Sequence, residues 1–189
     1  MSSHHIIREK QEPALLVLGL DNFDDELLGQ LLEWSPTLMV TETIAEKLNA
    51  YGIKVDWIIT NDVDGDIQPD VKLLQVNDES IVSAALKHLT ANNYPAVNVV
   101  TDELNLDDYL PFIDKINLVI FYNNQKIYPV ASGYSKWKPA GETIELLSTP
   151  TKLQFKGLDR LSDTVFATQQ DGFFTLQFDD LFIVVAEAL

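Results

Sequence analysis

The sequence predicts an α/β protein, with an N-terminal three-layer α/β domain whose sheet is mainly parallel, followed by a C-terminal antiparallel β-sandwich. In the first two thirds of the chain, apolar runs of strand length alternate with amphipathic helical segments, which is typical of a parallel sheet covered on both faces. Beyond residue 123 the segments are short, rich in β-formers and separated by turn residues. The length of 189 residues suits one domain or two small ones, and we place two, at residues 1–123 and 124–189.

The first domain contains six predicted strands and four predicted helices. The strands are apolar runs of four to seven residues, at 14–20, 37–40, 55–60, 71–76, 96–100 and 118–122. The helices lie at 24–34, 42–51, 79–92 and 107–115, and Pro111 interrupts the last of them. Acidic residues begin the first helix, Gly52 ends the second, and Asp78 is the expected N-cap of the third.

The second domain contains six predicted strands and no segment that fits a long helix. The strands lie at 126–131, 142–148, 152–156, 164–168, 173–178 and 181–186, with Gly, Pro and Asp in the turns between them. The pattern predicts a small antiparallel sandwich or barrel. Because a unit of this size is marginal alone, we expect it to dock on the first domain or on a partner chain.

The composition excludes several classes of protein. There are 13 basic and 29 acidic side chains, a net charge of −16, which argues against nucleic acid and anionic membranes as partners. The absence of cysteine excludes disulfides, thiolate zinc sites and a cysteine nucleophile. No apolar run approaches the roughly 18 residues of a membrane helix, and the first residues lack the apolar core of a signal peptide. We therefore expect a cytoplasmic protein.

The densest polar cluster, residues 61–66 (NDVDGD), follows the third predicted strand. Ligands of parallel sheets bind outside the carboxyl ends of the strands, and carboxylates are suitable oxygen ligands for Mg²⁺ or Ca²⁺. The cluster therefore makes Asp62 and Asp64 candidate metal ligands, with Asp66 beside them. The alternative interpretation is a solvent-exposed acidic turn.

A second acidic patch follows the fifth predicted strand, and it can be interpreted either as a catalytic pair or as a helix start with exposed neighbours. Its members are Asp102, Glu103, Asp107 and Asp108, of which Asp107 is the expected N-cap. His88 is predicted on the surface. The three tryptophans are predicted in the core, the last of them the most exposed: Trp34, Trp57 and Trp137.

The residue types that usually hold phosphate groups are scarce. The chain has no Walker A sequence and no G-x-G-x-x-G, and no glycine lies between residues 66 and 132. Its two arginines are Arg8 and Arg160. Binding and transfer of a phosphoryl group need backbone amides that close on the ligand and cations that neutralise its oxygens. The acidic edge of the predicted sheet is therefore badly suited to a nucleoside triphosphate unless metal ions supply the positive charge.

Five stretches carry a family resemblance that covers nearly the whole chain, at residues 2–9, 26–36, 52–56, 94–98 and 136–141. They resemble the thiamine pyrophosphokinases, most closely the branch found in Bacteroidetes-type bacteria. The resemblance implies an α/β catalytic domain followed by a β-sandwich, and a homodimer with its sites between one subunit's first domain and the other's second. It also implies transfer of pyrophosphate from ATP to the hydroxyethyl group of thiamine, with Mg²⁺, giving thiamine diphosphate and AMP.

The functional motifs of that family are altered in the first domain. The Asp-Gly-Gly or Asp-Gly-Ala turn after the second strand is replaced by residues 41–43 (TET), so that Thr41 and Thr43 take cleft positions. The magnesium-binding Gly-Asp-Phe-Asp matches residues 61–64 only with one inserted residue, which makes Asp62 and Asp64 the implied Mg²⁺ ligands. The Thr-Asp at the start of the next helix is replaced by residues 80–81 (SI).

The two remaining motifs are altered as well. The family's Gly- and Arg-rich loop ending in Asp-His corresponds to residues 102–109, where only Asp108 matches. The Ser-Ser-Asn that contacts thiamine in the family corresponds to residues 164–166, which makes Thr164 and Phe166 the thiamine-site equivalents.

Losses in several separate motifs predict a degenerate, catalytically impaired thiamine pyrophosphokinase homologue with a binding or association role, and they leave no residue assigned as catalytic. The alternative is an active thiamine pyrophosphokinase that binds ATP, thiamine and Mg²⁺ and uses Asp62, Asp64 and Asp108 for the metal. A further alternative is a protein that binds a divalent metal or another small molecule in the same cleft. In that case Asp66 joins Asp62 and Asp64 as a metal ligand.

Overall fold

The computed structural model describes residues 12–61 and 71–189. The chain divides into two compact units, one that ends at Leu118 and one that begins at Val119. The first unit is built on parallel strands and helices, and the second on antiparallel strands. The prediction of a mixed α/β chain is therefore confirmed.

The first unit contains five parallel strands in the order β5-β1-β2-β3-β4. Their bounds are β1 Ala14–Val17, β2 Leu38–Thr41, β3 Trp57–Thr60, β4 Lys72–Gln75 and β5 Ala96–Val100. Every residue of β1 is buried, because the strand is central and both faces are covered. The chain steps outward from β1 to β4 and then returns to the other side of β1. The order therefore reverses between β1 and β5, where open parallel sheets bind ligands.

Three α-helices connect these strands: α1 Asp25–Leu32, α2 Glu42–Ala50 and α3 Ile81–Ala91. Crossovers between parallel strands are right-handed almost without exception. From the strand order we therefore infer that the first two helices cover one face of the sheet and the third covers the opposite face. The N-cap of α3 is Ser80, whose hydroxyl accepts the amide of Ser83 at 3.1 Å. The prediction of Asp78 as the cap is wrong, and Asp78 instead adopts φ 44° in the preceding turn.

The segment after β5 is not the predicted helix 107–115. It forms two one-turn 3₁₀ helices, Leu106–Asp108 and Leu110–Phe112. Asp107 lies inside the first turn rather than at its N-cap. Pro111 lies within the second turn and has no amide to continue a hydrogen-bonded ladder, which accounts for the interruption.

Two of the tryptophan predictions and the histidine prediction are wrong. Trp34, just beyond the end of α1, is 69% exposed, and Trp137 is 52% exposed, so neither belongs to the core. Trp57 is partly buried, and its ring lies 4.3 Å from that of His88. His88 is therefore half-buried against an aromatic ring instead of free on the surface.

The second unit is made of two antiparallel sheets, ordered β11-β12-β9-β14-β7-β6 and β10-β13-β8. The first strand, β6, begins in the first unit. The bounds are β6 Asn117–Tyr122, β7 Gln125–Val130, β8 Tyr134–Lys138, β9 Thr143–Leu146, β10 Gln154–Lys156, β11 Leu158–Arg160, β12 Val165–Thr168, β13 Gly172–Gln177 and β14 Ile183–Ala188. The sequence did not predict β8 or β11.

One core cluster joins the two sheets of the second unit, as in a sandwich. It contains Val130, Ile144, Leu146, Leu158, Phe166, Phe174, Leu176, Phe178, Ile183 and Val185. In the part of the chain that the structure describes, no helix has the length and apolar character that crossing a membrane requires.

Candidate functional site

A cleft of about 520 Å³ lies in the first unit at the carboxyl ends of the parallel strands. The segments after β1 and β5, the end of β2 and the start of α3 form its walls. Its acidic lining residues are Asp21, Asp102, Glu103 and Asp108. Its apolar lining residues are Leu18, Ile81, Val82 and Leu104, and the remaining ones are Thr41, Thr101, Asn105 and Tyr109. Among the described residues, the wall therefore contains four carboxylates and no lysine, arginine or histidine.

Asp102 fixes the loop after β1 to the loop after β5. Its carboxylate accepts the backbone amide of Asp21 at 3.0 Å and that of Asn22 at 3.2 Å. Gly19 makes this approach possible, because a Cβ there would lie 2.2 Å from Oδ2 of Asp102 and 2.7 Å from its backbone nitrogen. The protein's own carboxylate thus occupies the amides of the first loop, as an anionic ligand would.

Lys47 of α2 lies beside this loop and donates to Oδ1 of Asp21 at 2.8 Å. The hydrogen bond that Lys47 donates to this carboxylate, and then the charge of the carboxylate, raise the pKa of Lys47 above its ordinary value. Both side chains are substantially exposed, so the pair contributes little to stability. Lys47 therefore neutralises the charge of Asp21, and it forms no ion pair with the other three carboxylates of the cleft.

The loop after β5 is closed by its own side chains. The Thr101 hydroxyl donates to the carbonyl of Glu103 at 2.7 Å and accepts that residue's amide at 3.2 Å. The amide of the Asn105 side chain donates to Oδ2 of Asp108 at 3.1 Å. These bonds hold Glu103 and Asp108 on the same wall of the cleft.

Tyr109 is the one buried aromatic residue among the described lining residues. It is 2% exposed, and its hydroxyl makes no hydrogen bond with any residue that the structure describes. Burial, and then the charge of Asp108, raise the pKa of this hydroxyl far above its ordinary value. The group is therefore a neutral phenol at physiological pH, and it is able to donate one hydrogen bond and accept others.

The predicted site residues fall in different places. Thr41 and Asp108 line the cleft, and Thr43 is exposed on α2 outside the lining set. Asp62 and Asp64 lie outside the described residues. Thr41 caps α2 through its backbone alone, without a side-chain hydrogen bond.

The two predicted thiamine-site equivalents lie in the second unit. Thr164 is exposed next to β12, and Phe166 is fully buried in the core cluster. The Phe166 ring packs edge-on to that of Phe155, with 4.9 Å between centroids, and under the guanidinium of Arg160. A side chain in this position serves the core, so its role toward a ligand stays a prediction from the resemblance.

Sequence reasoning missed Asp21, Tyr109 and the apolar lining residues. Asp21 could have been found by the rule that identified Asp62, since it follows the carboxyl end of a buried strand. Tyr109 stands where the loop of the resembling family ends in histidine, but sequence reasoning assigned it no role, because a tyrosine at helical spacing with Phe112 is normally part of the core.

No dense cluster of metal-ligating side chains occurs among the described residues. None of their acidic and histidine side chains converge in a group of three or more that could hold a metal ion. The carboxylates of the cleft are spread around its wall instead. Magnesium is commonly held by one or two carboxylates together with substrate phosphates, and Asp62 and Asp64 lie outside the described residues, so magnesium binding stays a prediction.

The comparisons with known proteins bear on the fold. No protein-family model matches the chain, and no curated protein matches it by sequence. Its fold is similar to that of the yeast thiamin pyrophosphokinase, with a TM-score of 0.68 and 11% identity over 97% of this chain and 88% of the other. The enzymes of Geobacillus thermodenitrificans and Bacillus subtilis give TM-scores of 0.68 and 0.62 at 11% and 14% identity. Those alignments cover 93% and 94% of this chain and 97% and 99% of the others. Both units of the chain together therefore have the thiamine pyrophosphokinase fold.

Proposed function

We propose that this chain is a thiamine pyrophosphokinase homologue that has lost efficient transfer of pyrophosphate and has kept its cleft for binding another molecule. The observation that carries the proposal is the charge of the cleft wall. Four carboxylates line it, and none of the described lining residues is a lysine or an arginine. A triphosphate brings several negative charges to the same place.

The electrostatic cost of that encounter is large. Two like charges 4 Å apart repel by about 1 kcal/mol in water and about 4 kcal/mol at the effective dielectric of a protein surface. Lys47 cannot offset this repulsion fully, because it already pairs with Asp21. Phosphoryl transfer depends mainly on positioning and on positive charge around the phosphate oxygens, so a wall of this sign opposes both binding and catalysis.

The backbone of the cleft is also unsuited to phosphate. Loops that hold phosphate present free amides, usually next to glycine. Here the amides of Asp21 and Asn22 are bonded to Asp102, and the space beside Gly19 is filled by the same carboxylate. An incoming phosphate would have to displace Asp102 first.

The direct test is an assay with ATP, Mg²⁺ and thiamine in which AMP and thiamine diphosphate are both measured. We expect no product above the enzyme-free rate, while an active thiamine pyrophosphokinase run in parallel gives both products. Turnover near the ordinary range of about 1–1000 s⁻¹ would show that the protein is an active enzyme and would overturn the proposal.

A binding measurement supports the assay. Because a ligand that binds only the folded state raises stability, a triphosphate held in this cleft would raise the Tm. We expect no rise in Tm with ATP and Mg²⁺, and a clear rise would count against the proposal. The homodimer that the resemblance implies also stays a proposal, and light scattering on the full chain tests it.

A further inference from the structure

We propose that the cleft of the first unit binds an organic ammonium ion, a protonated primary or secondary amine attached to a small apolar body. The inference rests on the proposed function, since a cleft that holds a nucleotide would have no room for this ligand. It identifies the class of molecule that the charge, the hydrogen-bonding groups and the apolar wall fit together.

The charge of the cleft requires a cation. Asp21 is paired with Lys47, and Asp102 is bonded to two backbone amides. Asp108 accepts a hydrogen bond from the neutral side-chain amide of Asn105, and Glu103 is exposed. Neither carboxylate forms an ion pair with a described lysine or arginine. Two carboxylates on one wall therefore have no positive partner among the residues that the structure describes.

An independent observation comes from Tyr109, which lines the same cleft. Its hydroxyl is buried and makes no hydrogen bond with any described residue, although buried polar groups are nearly always satisfied. Next to the negative charge of Asp108, a neutral phenol oxygen can accept a hydrogen bond from an ammonium group. A ligand that donates N–H bonds to both groups satisfies the hydroxyl and neutralises the carboxylate together.

The apolar lining residues argue for an organic ion rather than a bare metal. Leu18, Ile81, Val82 and Leu104 share the wall with the carboxylates. The volume of about 520 Å³ lies within the usual range for small-molecule sites, roughly 300–1000 Å³. Among the described residues the carboxylates do not converge as metal ligands do. A molecule with one ammonium group and a compact apolar body matches all three properties.

The experiment is a calorimetric titration of the full chain with phenethylamine, which has one ammonium group and one ring. The neutral analogue 2-phenylethanol and the anionic analogue phenylacetate serve as ligand controls. We expect phenethylamine to bind with a Kd below about 1 mM, to bind less tightly at high salt, and to exceed both analogues by at least about tenfold.

Three variants test the assignment of residues. Asp108→Asn keeps the shape of the side chain and is expected to lower the affinity about tenfold, because it removes a charge-assisted bond. Tyr109→Phe is expected to lower the affinity several-fold while leaving the Tm unchanged or higher, since the hydroxyl it removes has no described partner in the protein. Asp107→Asn, one residue away and outside the lining set, is the matched control and should change nothing.

Three results would overturn the inference: no phenethylamine heat at about 10 mM ligand, equal binding of phenylacetate, or full affinity in both Asp108→Asn and Tyr109→Phe. The enzymatic assay separates this failure from failure of the proposed function. Formation of thiamine diphosphate refutes the proposed function, whereas absence of both turnover and amine binding refutes only the present inference.

Discussion

Removal of the charge of Glu187 tests how the two sheets of the second unit are held together. Glu187 lies on β14 and is 6% exposed. Lys138 Nζ lies 2.8 Å from its Oε2, and Lys136 Nζ contacts its Oε1. Both lysines lie on β8 of the opposite sheet. This group of three side chains, the Glu187 cluster, is therefore an ionic link across the sandwich.

The magnitude follows from what Glu187→Gln leaves behind. The substitution keeps the volume and removes the negative charge. Lys138, with 11% of its side chain exposed, then has only Glu142 at 3.6 Å, and that carboxylate is 42% exposed. Removing one partner of a buried ion pair costs about 3–5 kcal/mol of stability. Because Lys136 is one third exposed and can turn to solvent, we expect Glu187→Gln to lower the free energy of unfolding by about 2–3 kcal/mol. For a chain of this length, that loss lowers the Tm by about 4–12 °C.

The effect should also depend on pH in a defined direction. Burial alone would raise the pKa of Glu187, but the hydrogen bonds and charges of Lys136 and Lys138 outweigh it, so the pKa lies below its ordinary value. The stabilisation is therefore fully present above the pKa of an unfolded glutamate, about 4.3, and is lost as pH falls through the lower folded value. Tyr128 and Tyr134, which also face the cluster, have raised pKa values and stay neutral throughout this range.

The assay is urea and thermal unfolding of the full chain, followed by circular dichroism from pH 7 down to the acid limit of folding. The matched control is Glu142→Gln, which removes a more exposed carboxylate from the same lysine and should cost less than about 0.5 kcal/mol. The reasoning fails if Glu187→Gln is as stable as the parent at pH 7, or if the difference between them grows as the pH falls.

Two further substitutions test the local structure around the cleft. Gly19→Ala should destabilise the chain by about 1–3 kcal/mol, because its methyl group would overlap Asp102. An unchanged midpoint of urea unfolding would show that the loops after β1 and β5 are not in contact as described. Ser80→Ala should lower stability by about 0.5–2 kcal/mol through loss of the α3 cap, and an unchanged Tm in thermal unfolding would show that Ser80 does not cap this helix.

The strands of the first unit could be predicted from the apolar character of their own residues. A strand buried on both faces is a continuous apolar run, as in β1, and no tertiary contact is needed to recognise it. The start of α3 was misplaced because Asp78 and Ser80 are both good N-caps, and only the backbone angles of the turn decide between them. The residue types in the turn do not determine those backbone angles.

Strand β8 of the second unit could not be predicted from its hydrophobic pattern. β8 alternates in the opposite sense to an ordinary strand, with Lys136 and Lys138 facing the other sheet and Trp137 facing outward at 52% exposure. The lysines are tolerated there because Glu187, about 50 residues later in the sequence, neutralises them. A method that assigns charged residues to the surface and tryptophan to the core must fail at such a strand.

The site was predictable in position and only partly in composition. The carboxyl edge of the parallel strands, with Asp108, follows from the rule for open sheets and is where the cleft lies, whereas Thr41 was predicted there from the family resemblance. The roles of Asp102 and Tyr109 were not predictable, because they depend on which backbone amides a carboxylate reaches and on which hydroxyl lacks a partner. Both are properties of the folded chain.

Asp102 connects the ordered loop after β1 with the proposal that the cleft does not bind phosphate. Its carboxylate accepts the amides of Asp21 and Asn22 and fills the space beside Gly19, so it holds the loop after β1 in place. The same carboxylate excludes an anion from those amides by occupying them and by its charge. A substitution that frees the amides for phosphate also removes the bonds that order the loop. If the proposed function is right, phosphate binding at this position requires compensation elsewhere in the loop, which a single substitution does not supply.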